Sequence, residues 1–358
     1  MRVDQVLPSL ASRDAIGVHT RNAQRALRAA GFESDIFYGT CTPDMTTAGR
    51  PVSALGRFDG RRALLYQASI GSPVFDELSA RTEPKLVNYH NITPAPLLAA
   101  WEPEVAEETA LGRRQLERLA PQCRLAIAVS HFNEQELRAA GYRHTAVVPL
   151  LIDMTSSSVE PDAAVLGRLM DEKSAGGADL LYVGKVSPHK APHDLVKMLA
   201  AYRQVYDAEA RLHIVGSPLG THYEPALVGF VDDLGLEDAV DVTGSVTPEI
   251  LEAYWRAADV YVSASDHEGF GAPLIEAMGH GVPVVAYGVA AVPETVEGAG
   301  VILPSKEPLR FATAVARVVR DAELRRRLAG AARQRVAEFS LDRSTKRFVE
   351  AVRRAVTA

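Results

Sequence analysis

Short apolar runs alternate with stretches of helical spacing from one end of the chain to the other. The first half contains V-D-Q-V-L, S-D-I-F-Y, A-L-L-Y-Q-A, L-V-N-Y-H, A-I-A-V-S and A-V-V-P-L. Between the first two runs lies an amphipathic stretch from Val18 to Ala30 that Gly31 stops, and a further helix falls near Glu134 to Ala140. Strands that alternate with helices in this way predict a parallel sheet with crossover helices, an α/β fold.

The pattern breaks between Asp153 and Asp179, where M-T-S-S-S-V-E-P-D and E-K-S-A-G-G-A-D interrupt it. It restarts with D-L-L-Y-V-G, a helix from about Pro192 to Tyr206, R-L-H-I-V-G, a helix near Leu227 to Leu234, D-V-T-G, a helix near Pro248 to Ala257, V-Y-V-S-A-S and V-P-V-V-A-Y. Two arginine-rich helical stretches, Leu309 to Ala337 and Leu341 to Val356, follow. A length of 358 residues suits two cores better than one. We therefore expect two doubly wound, Rossmann-like domains, residues 1–152 and 153–340, with the helix 341–358 packing back on the first. Ligands of such sheets bind beyond the carboxyl ends of the strands, so residues just after strands become the candidates.

Composition narrows the function classes. A formal charge of −6 supplies no basic field for nucleic acid. Cys41 and Cys123 are far apart and outside any C-x-x-C pair, so neither a disulfide framework nor a zinc site is expected and a cytoplasmic compartment fits. The N-terminus reads as a strand rather than a signal peptide, and no apolar run is long enough to span a bilayer, which leaves peripheral membrane contact open. Arginine outnumbers lysine in an alanine-rich chain, a bacterial, GC-rich usage.

The richest segment is D-H-E-G-F-G-A-P-L-I-E-A-M-G-H-G-V-P-V-V, residues 266–285. It follows the strand V-Y-V-S-A-S, and Pro273 suits the first position of a helix expected over Pro273 to Met278, ended by Gly279 to Gly281. The loop Gly269, Phe270, Gly271 then opens a helix N-terminus, where backbone N–H groups and the helix dipole favour a phosphate. Glu268 and Glu276 flank that cradle, and ionised carboxylates there would accept hydrogen bonds from sugar hydroxyls. Lys185 and Lys190, in V-G-K-V-S-P-H-K at the first strand end of this half, would balance a diphosphate. Taken singly, the glutamates could be solvated and the glycines a tight turn. The joint arrangement favours a ligand site.

E-G-F-G-A-P-L-I-E-A-M-G-H-G-V-P-V-V, followed by V-P-E-T-V-E-G-A-G-V-I-L and preceded by Y-V-G-K-V-S-P-H-K, resembles the retaining GT-B glycosyltransferases of family 4. Glu268 and Glu276 match the family's glutamate, seven residues, glutamate motif, and Lys185 and Lys190 its basic pair, whose first member is usually arginine; Lys185 keeps the charge and loses the fork. The resemblance covers nearly the whole second half. It implies that Glu276 holds nucleotide ribose hydroxyls, that Glu268 contacts the donor sugar, and that the Gly269, Phe270 and Gly271 amides bind the sugar or its phosphate. Gly244 and Val246 would line the base pocket, with Gly216 beside them.

The first half resembles the family more loosely. In S-R-D-A-I-G-V-H-T a single Gly17 stands for a glycine-rich loop, and Asp14, Gly17 and His19 would face the cleft or form an ordinary strand-to-helix loop. His90 ends the strand L-V-N-Y-H at a family position close to the donor sugar, to line the site or to act on a proton. Ser130 and His131 are weaker candidates of the same kind. Arg113, Arg114, Arg118 and Arg124 could form a basic face for an anionic membrane or phosphorylated acceptor, although charge runs are usually solvated. No D-x-D metal-diphosphate motif occurs, so no metal and no cofactor are expected beyond a nucleoside diphosphate sugar. The implied reaction is transfer of a hexosyl group from a UDP- or GDP-sugar to a hydroxyl of a glycan, lipid-linked or small acceptor, with retention. A nucleotide-sugar epimerase and a non-catalytic sugar-nucleotide binding module are the alternatives.

Overall fold

The computed structural model describes residues 1–11, 14–154 and 159–357. Contacts divide the chain into two bodies. Residues 1–95, 104–153 and 339–358 form one, and residues 96–103 and 154–338 the other. Thr155 to Ser158, in the stretch expected to join the domains, lie outside the described residues, as do Ser12 and Arg13 of the first strand-to-helix loop.

The first body runs β1 (Arg2–Leu10), α1 (Ala15–Ala29), β2 (Ile36–Cys41), β3 (Arg50–Pro51), β4 (Arg62–Ala68), α2 (Val74–Ala80), β5 (Lys85–Tyr89), α3 (Pro103–Leu119), β6 (Cys123–Ala128), α4 (His131–Ala139) and β7 (Thr145–Val147). Its strands pair in the order β3-β2-β1-β4-β5-β6-β7, every neighbour parallel. Alternate residues of a strand point to opposite faces, and both faces of this sheet are covered, which is why its strands read as nearly continuous apolar runs. Leu64, Tyr66, Val87 and Tyr89 meet α2, α3 and α4 through Phe75, Leu116 and Leu137. Leu65, Leu86 and Ile127 meet α1 through Leu27.

The second body contains α5 (Ala163–Ser174), β8 (Asp179–Val183), α6 (Pro192–Val205), β9 (Arg211–Val215), α7 (Tyr223–Asp233), β10 (Val240–Gly244), α8 (Pro248–Ala257), β11 (Val260–Ser263), α9 (Ala272–Gly279), β12 (Val284–Tyr287), α10 (Val292–Val296), β13 (Val301–Leu303), α11 (Pro308–Arg320) and α12 (Ala322–Glu338). Its parallel order is β10-β9-β8-β11-β12-β13, so strand order reverses between β8 and β11. The sequence pattern missed α5: this helix, started by Asp162 accepting from the Ala164 and Val165 N–H groups, occupies the stretch expected as a junction. The single helical stretch from Leu309 is two helices, because Asp321 takes an extended conformation between them.

The last helix, α13 (Leu341–Thr357), belongs to the first body. Phe348 and Val352 on its apolar face are fully buried beside Leu27 and Ile127. Side chains of that size contribute about 1.5–3 kcal/mol each on burial.

Residues 96–103 cluster with the second body although they lie between β5 and α3. Trp101 packs edge-on against Tyr223, and a buried carboxylate adds an electrostatic tie. The Glu102 carboxylate, 4 % exposed, accepts the backbone N–H groups of His222 and Tyr223 at 3.0 Å each and that of Thr221 at 3.3 Å. It thereby caps α7 from outside the helix, where orphan donors and the positive dipole end favour a carboxylate. Gly220 leaves it room, since a Cβ there would overlap the carboxylate.

Those N–H donors hold the Glu102 carboxyl below the ordinary glutamate value, against the opposing effect of burial. A depressed folded-state pKa adds stability above the unfolded value of about 4.3, and the gain disappears as pH falls through the folded value. Glu102→Gln is expected to lose about 1 kcal/mol at pH 7, the scale of a missing cap. Urea unfolding of both proteins from pH 7 to pH 3 should show the gap closing; a gap that stays constant would mean that charge is not what holds this segment.

Candidate functional site

In the second body the expected residues gather around the point where strand order reverses. β8 leads to Lys185 and Lys190, and β11 leads to Glu268. Crossovers leave this point in opposite directions, so the crevice above β8 and β11 is uncovered, the usual ligand position in such sheets. The Lys190 ammonium bonds the Glu268 carboxylate at 2.5 Å, and the Ser265 hydroxyl donates to the same oxygen at 3.2 Å. Lys185 is exposed and takes part in no ion pair among the described residues. The two lysines are therefore not an equivalent pair.

The helix after the loop is α9, one residue earlier than its proline suggested, and Gly271 precedes it in the left-handed region with φ 82°. A Cβ there would press on Leu274, so glycine is needed for both backbone and space. The Phe270 side chain is buried, and its carbonyl accepts the Thr295 hydroxyl at 2.6 Å, which fixes the loop from below. Only backbone of Phe270 is left to meet a ligand.

Glu276, on α9, is half-buried, and its carboxylate takes no hydrogen bond or ion pair among the described residues. Burial raises its pKa above the ordinary glutamate value, and His280 opposes the rise. A carboxylate so placed is short of donors. Beneath the two glutamates lies Tyr261, buried, its hydroxyl bonded to the Val183 carbonyl and pushed up in pKa first by burial and then by Glu268 and Glu276.

Gly216 follows β9 and Gly244 ends β10, with the Gly216 N–H bonded to the Gly244 carbonyl at 3.0 Å. A Cβ on Gly216 would overlap the carbonyl of Gly184, the residue after β8. Three glycines thus thin the rim at adjacent strand ends, and half-buried Val246 follows the last of them. Gly184 was visible in Y-V-G-K but carried no signal of its own. Lys306 was also missed, because it lies far beyond the motif. Its ammonium bonds Asp194 at the start of α6 and Asp266 before Glu268, both at 2.7 Å, tying the Glu268 loop to that helix.

In the first body the corresponding reversal lies between β1 and β4. Asp14 precedes α1 with no side-chain cap bond, and Gly17 is buried where a Cβ would overlap the Ala11 carbonyl. His19 corrects the expectation that it opens to ligand: it is 1 % exposed, and its Nδ1 accepts the Leu151 N–H at 3.0 Å. The ring packs edge-on against His90, 4.8 Å between centroids. His19 acts as a support beneath that residue.

His90 is half-buried just after β5, its Nε2 at 2.6 Å from the Gln67 oxygen. Gln67 donates to Gln5, and Gln5 to the Thr20 carbonyl. This polar relay crosses the centre of an apolar sheet, and its members stand in the sequence as lone amides within apolar runs. The oxygen of Gln67 accepts, so Nε2 carries the proton, and Nδ1 is left buried without a partner. Burial lowers the His90 pKa to about 3, keeping the ring neutral.

Other candidates have structural work. Ser130 caps α4 by accepting the Asn133 N–H, and His131 is exposed beside Glu134. Arg113 does not join a basic face with the exposed Arg114, Arg118 and Arg124: it bonds Glu136 at 2.8 Å and the Ile92 carbonyl. Among the described residues, no group of three or more His, Cys, Asp and Glu is placed to hold a metal ion, and no helix is long and apolar enough to cross a membrane.

Residues 171–335 match the family model described as Glycosyl transferases group 1. The D-inositol 3-phosphate glycosyltransferase of Geodermatophilus obscurus is 34 % identical over 218 residues, which are 58 % of this chain and 47 % of that protein. The protein of the same name from Salinispora arenicola is 33 % identical over 189 residues, 51 % of this chain and 42 % of its own length. The chain thus spans about half the length of these curated relatives. Among solved structures, Anabaena HepE in complex with UDP and glucose superposes with a TM-score of 0.77 at 18 % identity, covering 99 % of this chain and 100 % of the other. Sucrose-phosphate synthase from Thermosynechococcus elongatus gives 0.76 at 20 % identity, covering 100 % of both chains. Two bodies built on all-parallel sheets, with these likenesses, have the fold of the GT-B glycosyltransferases, and the second body carries a glycosyl transferases group 1 match.

Proposed function

We propose that the protein is a retaining, metal-independent glycosyltransferase of family 4 that moves a hexosyl group from a nucleoside diphosphate sugar to an acceptor hydroxyl in the cytoplasm. The observation that carries this reading is the pairing of two unlike carboxylates around one helix N-terminus: Glu268 bound to Lys190, and Glu276 raised in pKa with no donor among the described residues. Ribose hydroxyls would satisfy Glu276, and the amides before α9 together with Lys185 and Lys190 would hold the diphosphate and stabilise the charge that grows on it as it leaves. The departing phosphate then takes the acceptor proton on the face of attack, so neither glutamate has to form a covalent bond to the sugar. His90, held neutral by burial and bonded through Nε2 to Gln67, lines the strand end rather than serving as an acid. The UDP and glucose in the HepE complex favour a UDP-sugar donor, and the names of the relatives make D-inositol 3-phosphate the first acceptor to try.

The test is a thermal-shift panel of UDP- and GDP-sugars followed by product NMR. A bound donor at 100 times its Kd stabilises by about 2.7 kcal/mol. Transfer with the donor's anomeric configuration kept is expected; an inverted product, or donor epimerised without any acceptor, would overturn the reading.

Glu276 yields a two-sided prediction. An acid whose folded pKa is raised costs stability as pH climbs through that pKa, and a neutral amide removes the cost. Glu276→Gln should therefore melt no lower than the parent at pH 8 without ligand, yet show a weaker UDP-induced shift. A lower Tm with undiminished UDP affinity would show that Glu276 serves the fold instead.

Lys190→Ala should cost about 2 kcal/mol or more in transition-state stabilisation, read as kcat/KM. It also strands the Glu268 carboxylate beside the phosphate, so its loss should exceed that of Lys185→Ala. The reverse order would refute the assignment.

A further inference from the structure

Four arginines and a single acid line a 280 Å³ recess in the first body, between α1, β2 and the edge strand β3. Arg21, Arg25 and Arg28 recur at helical spacing and share a face of α1, where like charges repel. Arg50 faces them from the start of β3. Asp35 is the one available carboxylate, and it is already shared: it pairs with Arg28 at 3.2 Å, with Arg50 at 2.7 Å and with Arg2 outside the recess. Arg25 reaches only the Asn22 amide oxygen, and Arg21 bonds nothing among the described residues, its Nε buried without a partner. Positive charge in this recess is left uncompensated.

We infer that this recess binds the phosphate of a small soluble phosphomonoester. Guanidinium forks match phosphate oxygens two at a time, and Arg21 and Arg25 have donors to spare. The volume suits a phosphate with a sugar-sized body, slightly below the range of ordinary small-molecule pockets of about 300–1,000 Å³. A recess of this kind suits a discrete ligand better than the plane of a lipid surface. Ile36 and Arg50 begin their strands, so the recess lies toward the amino ends of β2 and β3, whereas Asp14 and His90 follow the carboxyl ends of β1 and β5. A ligand here braces α1 against the sheet edge and takes no part in sugar transfer.

The probe is glucose 6-phosphate, titrated calorimetrically into the full chain without nucleotide, with phosphatidylcholine vesicles carrying phosphatidic acid as a second arm. Arg21→Ala/Arg25→Ala should weaken binding by about tenfold or more, the scale of losing a charge-assisted hydrogen bond, while Glu276→Ala leaves it unchanged. Neither arginine pairs with a carboxylate, so Tm should hold; single Arg21→Gln, with a partial loss, serves if the double variant does not fold. No binding by the parent, or binding abolished by Glu276→Ala and untouched by the arginine change, overturns the inference. So does capture by the vesicles without binding of the soluble ester.

Discussion

A parallel sheet whose crossovers lie on both faces has to reverse its strand order somewhere, and at that place no helix covers the strand ends. Everything that distinguishes the second body follows from where this happens, between β8 and β11. Lys190 arrives at the gap from one strand and Glu268 from its neighbour, and the ion pair between them bridges it. The glycines at adjacent strand ends keep the rim low, and Lys306 anchors the loop from the side with two carboxylates. The crevice is a consequence of topology. Its chemistry is a consequence of which residues end the two strands.

The electrostatics of the gap are uneven. Glu268 is matched by a lysine and a serine, and Glu276 by no donor among the described residues. A structure optimised only for stability would replace an unpaired, half-buried carboxylate, because its charge costs desolvation with no compensating partner. Keeping it is sensible where a ligand supplies the missing hydroxyls. The same logic runs through the first body. His90 is held neutral by burial, and an amide relay through Gln67 and Gln5 fixes the donor side of its ring while the other nitrogen is buried without a partner.

How far the sequence disclosed this depended on the range of the interaction. Strand runs and helix periodicity are local, and every strand of both sheets except the edge strands β3 and β13 appears in them. The segment around Glu268 was legible because strand, glycine loop, proline and second glutamate are contiguous. Contacts between distant residues were not. Nothing local tells that Lys190 pairs with Glu268 while Lys185 stays exposed, that His19 is sealed under Leu151, or that Lys306 joins Asp194 to Asp266. Composition misled once: the polar stretch after Asp153 reads as a linker, yet Asp162 caps a helix in it. Small polar residues serve as caps as readily as they serve as loops.

The Glu102 cap has an evolutionary side. Because residues 96–103 and 339–358 each belong to the body that the surrounding chain does not, the backbone passes between the two bodies four times. A gene encoding only one contiguous half would yield a polypeptide lacking a strip of its own core or carrying a strip of the other. A single crossover near residue 153 therefore splits both bodies rather than exchanging one of them whole. The α7 start and its distant carboxylate have to be inherited together, although more than a hundred residues of chain separate them.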